Sequence, residues 1–344
     1  MSPEYISIMK TIKLMEVCGT HTMAIARSGI KKLLPKEVEL ISGPGCPVCV
    51  TSQEDIDKAL KIAGEENVIM TTFGDMMRVP GSSGSLDRMK TEGADVRVVY
   101  SSADALEIAE KNPSKRVVFM GVGFETTSPT VAATIIEAKK RGVKNFFVLS
   151  GFKVIFPALE AIAGSKELKV NGFICPGHVS VITGSAPYEP VVKKYVIPCV
   201  ITGFEDNDII KGVTRLVRQI KRGYACVEVE YKRAVKRSGN AKAKKLIKKV
   251  FEQADSVWRG IGKIERSGLK IKKKYEDLDA EKEFNVKVKK SVLPKGCVCG
   301  KVLQGIKTPR ECKLFGKKCT PRHPVGPCMV SSEGTCAAYF RYGS

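Results

Sequence analysis

Short apolar runs separated by amphipathic stretches fill the first two thirds of the chain. The runs VELISG (38–43), NVIMTTFG (67–74), VRVVYS (96–101) and RVVFMGVG (116–123) read as buried strands. Helical periodicity occupies the stretches near 51–64, 75–90, 101–111 and 128–141. A second series follows: NFFVLSG (145–151), NGFICPG (171–177), VIPCVITG (196–203) and ACVEVEY (225–231), with helices near 154–164, 187–194 and 205–222. Continuous apolar strands alternating with helices predict parallel sheets covered on both faces.

Eight such strands would fit one barrel, but the two series echo each other. GFETTSP (123–129) and GFKVIFP (151–157) share Gly-Phe and a later Pro; PGCPV (44–48) echoes PGHVS (176–180); TTFGD (71–75) echoes ITGFED (201–206). Each echo lies just past the carboxyl end of a predicted strand, the edge where open parallel sheets bind ligands. Gly and Pro also mark ordinary strand-to-helix turns. The pattern therefore predicts an α/β protein of two similar parallel-sheet, Rossmann-like domains facing a cleft. The first spans 31–142 and the second 143–231; an N-terminal segment, 1–30, precedes them. From 232 to 344 the pattern turns basic and helical, then rich in Cys, Gly and Pro, which predicts a further domain.

Composition adds little to the fold and much to the chemistry. A hydrophobic fraction of 43% and a charged fraction of 27% are those of a globular protein. No apolar run reaches membrane-spanning length, and MSPEYISIMKTIKL does not have the pattern of a signal peptide, so a cytoplasmic location is expected, with no membrane partner. The net charge of +22 is concentrated between Lys232 and Lys274. The lysines of 242–249 alternate with Leu246, Ile247, Val250 and Phe251 at helical spacing, which suits a solvated amphipathic face. An acidic protein partner and a nucleic-acid surface are the other readings, but stacking aromatics are sparse there and no nucleic-acid partner is expected.

Twelve cysteines in a chain of this kind point to metal or redox chemistry. Six fall in the last 48 residues, where only Cys297 and Cys299 form a close pair. Structural zinc usually takes two close pairs; thiolates gathered singly from separated turns suit an iron–sulfur cubane, with two thiols to spare for a dithiol that exchanges electrons with it. Zinc and free or disulfide thiols remain the alternatives. Cys46-Pro-Val-Cys49 opens a helix after a strand, the redox arrangement of thioredoxin-like proteins, and the helix N-terminus is expected to favour thiolate. In MEVCGTHT, Cys18 and His21 stand three apart, on one face of a helix if one forms. The pair is equally an iron ligand set, a Cys–His nucleophile, or a buried cysteine beside a histidine. The polar GTHT argues for a loop.

Taken together, CGTHT, GPGCPVC, TTFGDMMRVPGS, GFETTSPT, PGHVSVITG and CTPRHPVGPCMVSSEGTCAAY resemble the HypD family of hydrogenase maturation proteins, from about Met15 to Tyr342. The tail spacing, C-x14-C-x6-C-x16-C, is also that of the family. The resemblance implies a scaffold on which the Fe(CN)2CO group of [NiFe] hydrogenase is assembled. It implies a HypC-type chaperone and a HypE-type donor of cyanide as a thiocyanate. Carried over, Cys18 is the iron-binding thiol, Cys46 and Cys49 a redox pair, and Cys297, Cys312, Cys319 and Cys336 ligands of a [4Fe–4S] cluster. Cys299 and Cys328 are left over as a dithiol. Iron-bound cyanide and CO accept hydrogen bonds, so Thr20, His21, Thr22, Thr126, Thr127 and His178 are candidate donors. Asp75 and Arg78 either pair structurally or hold the partner. The rival reading is a free-standing iron–sulfur/dithiol disulfide reductase.

Overall fold

The computed structural model describes residues 11–165, 167, 170–288 and 294–343. Residues 1–10 of the expected N-terminal segment and 289–293 of the basic, Cys-rich region lie outside the described residues.

Eleven strands are described, in chain order β1 (Ile12–Glu16), β2 (Val38–Ser42), β3 (Val68–Thr72), β4 (Val96–Val98), β5 (Arg116–Gly121), β6 (Phe146–Ser150), β7 (Gly172–Cys175), β8 (Cys199–Ile201), β9 (Val227–Val229), β10 (Phe251–Trp258) and β11 (Gly262–Ile271). Nine of them form two parallel sheets, in the orders β2-β1-β7-β8-β9 and β4-β3-β5-β6. Central strands such as β3 and β5 are buried almost throughout, as their unbroken apolar runs predict. Helices cover both faces. Ser52 caps helix Gln53–Ala63 through the Asp55 N–H, and Ser101 forms a capping box with Asp104 at helix Ser102–Lys111.

Two strands depart from the expected division. β2, expected in the first half, pairs in parallel with β1, and β6, expected in the second, pairs with β5. The five-stranded sheet is therefore assembled from pieces distant in sequence, β1 and β2 with β7 to β9, whereas the four-stranded sheet takes the consecutive strands β3 to β6, so the boundaries at 31–142 and 143–231 do not separate the two. The reason lies in β1: IKLME, passed over as part of an N-terminal segment, inserts between β2 and β7 and so draws β2 away from β3.

The basic region also differs. Helix Ala241–Val250 is present, but β10 and β11 follow it as an antiparallel hairpin joined at Arg259–Ile261. The hairpin tip wedges between the two cysteine-rich regions. Arg259 N donates to the Val50 carbonyl at 2.9 Å, and Gly260 lies so close to Gly300 that a side chain on either would strike the other's backbone. Glycine is needed at 260 for a second reason, its φ of +73°.

One core cluster unites these parts. Cys46, Cys49 and Val50 pack with Met70, Val118 and Met120 of the four-stranded sheet, with Trp258 of the hairpin, and with Cys299, Leu303 and Cys328 of the tail. The turn that leaves β2 thus ends in the core of the other sheet. Among the described residues, no helix is long and apolar enough to cross a membrane.

Candidate thiol and metal site

The carboxyl ends of β2, β1, β7 and β8 lie side by side, so the loops that follow them converge. Those loops carry Cys46, Cys18, His178 and Phe204. Had β2 belonged to the other sheet, Cys18 and Cys46 would not share an edge.

Cys18 stands at the N-cap of helix Gly19–Ser28, so GTHT is the first turn of a helix and not the loop its polarity suggested. Polar residues serve there because the first helical amides lack intrahelical partners. Cys18 is 7% exposed. Gly19 N donates to the Gly45 carbonyl at 3.1 Å, and a side chain at Gly45 would collide with the Cys18 backbone. Beneath, the buried Glu16 accepts from Cys18 N at 3.2 Å and from Thr22 Oγ1 at 2.5 Å. Burial raises the Glu16 carboxyl to about 8. Burial also pushes the Cys18 thiol up to about 12, against the His21 and Thr20 amides, which favour the thiolate; Glu333 and Glu16 raise it further.

Glu333, from the tail, accepts from Thr20 Oγ1 at 2.6 Å. Its charge acts on Cys18 and on His178 alike. A carboxylate, a thiol and an imidazole therefore share one field. Glu333 and Glu16 escaped the sequence reading. For Glu16 a signal existed, an acid inside an apolar strand; for Glu333 none did, because its partner is 313 residues away.

His21 is fully buried and turned toward the β8 loop. Its Nε2 lies 2.8 Å from the Gly203 carbonyl and 2.9 Å from Thr202 Oγ1, and burial lowers its pKa to about 4. A carbonyl can only accept, so Nε2 carries the proton and the neutral ring leaves Nδ1 a bare lone pair. That Nδ1 is buried without a partner. Phe204 lies between the two imidazoles, 4.7 Å from the His21 ring and stacked 4.0 Å from that of His178, which is exposed.

Cys46 caps the four-residue helix Pro47–Val50, its sulfur accepting from Cys49 N at 3.3 Å. At Cys49 burial opposes the thiolate that a helix N-terminus favours. Burial raises that thiol well above its ordinary value, since a single helical turn offers little dipole against complete desolvation. The Cys49 thiol interacts with those of Cys46 and Cys328, and Cys328 interacts in turn with Cys299 and Cys336. Cys299 meets Cys297, closing a chain of thiols from the β2 loop into the tail.

All six tail cysteines line one cavity, walled by Val302, Leu314 and Phe315. Val325 N donates to Cys319 Sγ at 3.4 Å, and Gly326 supplies a second amide. A side chain at Gly326 would press on Cys297 Sγ. Among the described residues no three His, Cys, Asp or Glu converge on a single ion. Thiols spread around an apolar wall, with amides aimed at sulfur, suit a multi-iron cluster whose corners are bound separately. The Arg259 guanidinium, 1% exposed, lies near Cys299, Cys328 and Cys297 and donates to the Pro80 carbonyl at 3.3 Å.

The remaining candidates sit elsewhere. Thr126 is exposed and Thr127 half-buried ahead of helix Ser128–Arg141, while Phe124 of the same motif packs 5.9 Å from Trp258. Asp75 is exposed; Arg78 donates to the Pro321 carbonyl and so ties its turn to the tail.

The HypD family model, described as the hydrogenase formation hypA family, matches residues 4–343. The hydrogenase maturation factor HypD of Cupriavidus necator is 47% identical, over 96% of this chain and 89% of its own. HypD of Escherichia coli K12 is 44% identical, over 97% and 90% respectively. The hydrogenase expression/formation protein HupD of Azotobacter chroococcum is 47% identical, over 96% and 89%.

Proposed function

The chain belongs to the HypD family and has a role in hydrogenase maturation; from that premise we propose that it is the scaffold on which the Fe(CN)2CO group is assembled. Iron, the cargo, binds at Cys18 with a HypC-type chaperone supplying a further ligand, and a HypE-type partner presents cyanide as a thiocyanate. The observation that supports this reading is the Gly19–Gly45 contact, which brings the lone thiol that follows β1 against the loop of the Cys46–Cys49 pair.

The electron count fits the residues. Releasing cyanide from R–S–C≡N breaks the S–C bond and takes two electrons, leaving R–S⁻ and a cyanide whose carbon bonds the iron. Cys46 and Cys49, as thiols, supply two electrons and two protons in forming their disulfide. Burial keeps Cys49 protonated beforehand. In the turn that Cys18 caps, Thr20, held by Glu333, orients what binds there, whereas the bare Nδ1 lone pair of His21 can only accept and does not donate to cyanide or CO. Cys297, Cys312, Cys319 and Cys336 would hold a [4Fe–4S] cluster, which supplies single electrons when bound. Cys299 and Cys328 stand between that set and Cys49 as a second dithiol.

Infrared spectroscopy of the chain purified anaerobically with its chaperone tests the reading. Iron-bound cyanide and CO bands are expected, and Cys18→Ala should abolish them while iron at about four per chain remains. Bands unchanged in that variant would remove Cys18 from the iron site.

A further inference from the structure

A cleft of about 650 Å3 opens between helix Ala241–Val250, the β10–β11 hairpin, and helices Ile155–Ala163 and Gly177–Thr183. It is distinct from the cysteine-lined cavity and shares no residue with it. Its size is that of a small-molecule site. Val154, Phe156, Ile182, Phe251 and Leu269 make the wall apolar.

Into this cleft faces Glu125, the acid of GFETT, at 6% exposure. Its Oε1 accepts from Ile155 N at 3.1 Å, whereas Oε2 is buried without a partner. An orphaned buried carboxyl oxygen is costly unless something bonds it. The mouth is cationic. Lys244, Lys248, Arg266 and Lys272 border it against a single acid, Glu252. Lys244 and Lys272 each spend one donor on a backbone carbonyl, Ser238 and Lys248 respectively, leaving N–H groups free for a ligand.

We propose that this cleft binds a small amphipathic anion, its apolar body against the Phe156–Phe251 wall, its charged group at the lysine and arginine rim, and a hydrogen-bonding group on Glu125 Oε2. Burial lifts the Glu125 carboxyl to about 7, so near neutrality much of it is uncharged and does not repel an anion. The site is independent of the hydrogenase-related reading, since none of its residues belongs to the thiol chain.

The probe is 8-anilinonaphthalene-1-sulfonate, which carries an apolar body, one anionic group and one N–H. Fluorescence titration of the full anaerobic chain should show one saturable site. Ile182→Trp, which fills the cleft, should abolish it, and Lys248→Glu with Arg266→Glu should weaken it about tenfold. All three residues are at least partly exposed, and a cooperative unfolding transition confirms each variant's fold. Affinity unchanged in both variants overturns the proposal. Inorganic sulfate at equal concentration should not displace the probe; displacement would reduce the site to an anion patch and overturn the apolar part. An infrared difference spectrum should show the protonated-carboxyl stretch shifting on binding, a signal absent in Glu125→Gln; no shift removes Glu125 from the site. Phosphatidylglycerol vesicles should not sediment the protein, and rim-dependent sedimentation would assign the cleft to a membrane surface instead.

Discussion

Gly19 donates its amide to the carbonyl of Gly45 at 3.1 Å, and through that bond the first turn after β1 is fixed against the first turn after β2. The contact is close because neither residue has a side chain. At Gly45 a Cβ would strike Cys18, and at Gly19 it would lie 2.7 Å from the Glu333 Cβ. Gly45→Ala should therefore cost roughly 1–3 kcal/mol in overpacking. It should also displace Cys18. Iodoacetamide labelling of Cys18 in the native protein, read by peptide mass, should rise; labelling as slow as in the parent would show that the turn absorbs the methyl.

Glu333 adds to the charge felt by Cys18. Burial holds the thiol up at about 12, and the Glu333 carboxylate, with Glu16, raises it further. Glu333→Gln keeps a hydrogen-bond acceptor for Thr20 and removes the charge, so the Cys18 pKa should fall. A fall of one unit would raise the thiolate fraction about tenfold at a fixed pH below the pKa. The pH dependence of Cys18 alkylation reads this directly, and the curve should move to lower pH. Burial holds the His178 pKa below its ordinary value and Glu333 partly offsets that, so the same variant should lower it further.

His21 bonds the Gly203 carbonyl from a fully buried position. Its truncation to Ala leaves that carbonyl unpaired and opens a cavity beneath Phe204. A loss of roughly 2–4 kcal/mol is expected in denaturant unfolding. His21→Gln, which can restore a donor, should recover part of it.

Glu125 makes stability fall with rising pH. Its carboxyl titrates at about 7 in the folded chain against an ordinary 4.5. Between those values the native state holds a proton that the unfolded state has released, so stability declines as pH rises across that window. Below about 4.5 both states are protonated, and above about 7 the cost of the buried charge is complete. Glu125→Gln should remove this component. Its thermal midpoint relative to the parent should climb from pH 4.5 to pH 7 and then level off.

Much of this was legible along the chain. The apolar runs named β2 to β9 because a strand buried on both faces needs no alternation. Cysteine spacing drew attention to Cys18, to Cys46 with Cys49, and to the tail, and the family followed from those motifs. The hairpin β10–β11 was obscured because half of FEQADSVW and half of GKIERSGLKI are exposed positions, most of them polar, rather than an apolar run. The strand β1 was obscured by its lysine and its buried acid, which break the apolar run.

Local pattern, then, decided which segments become strands and helices and which residues carry sulfur, because backbone propensity and side-chain chemistry belong to the residues themselves. Tertiary structure alone decided that β2 lies beside β1, that Glu333 reaches Thr20, and that Cys49 meets Cys328. Those neighbours are set by sheet order and by burial, which are shared among segments up to 313 residues apart. The pKa values of Glu16, Cys18 and Glu125 are decided there too, since desolvation is a property of the surroundings and not of the group.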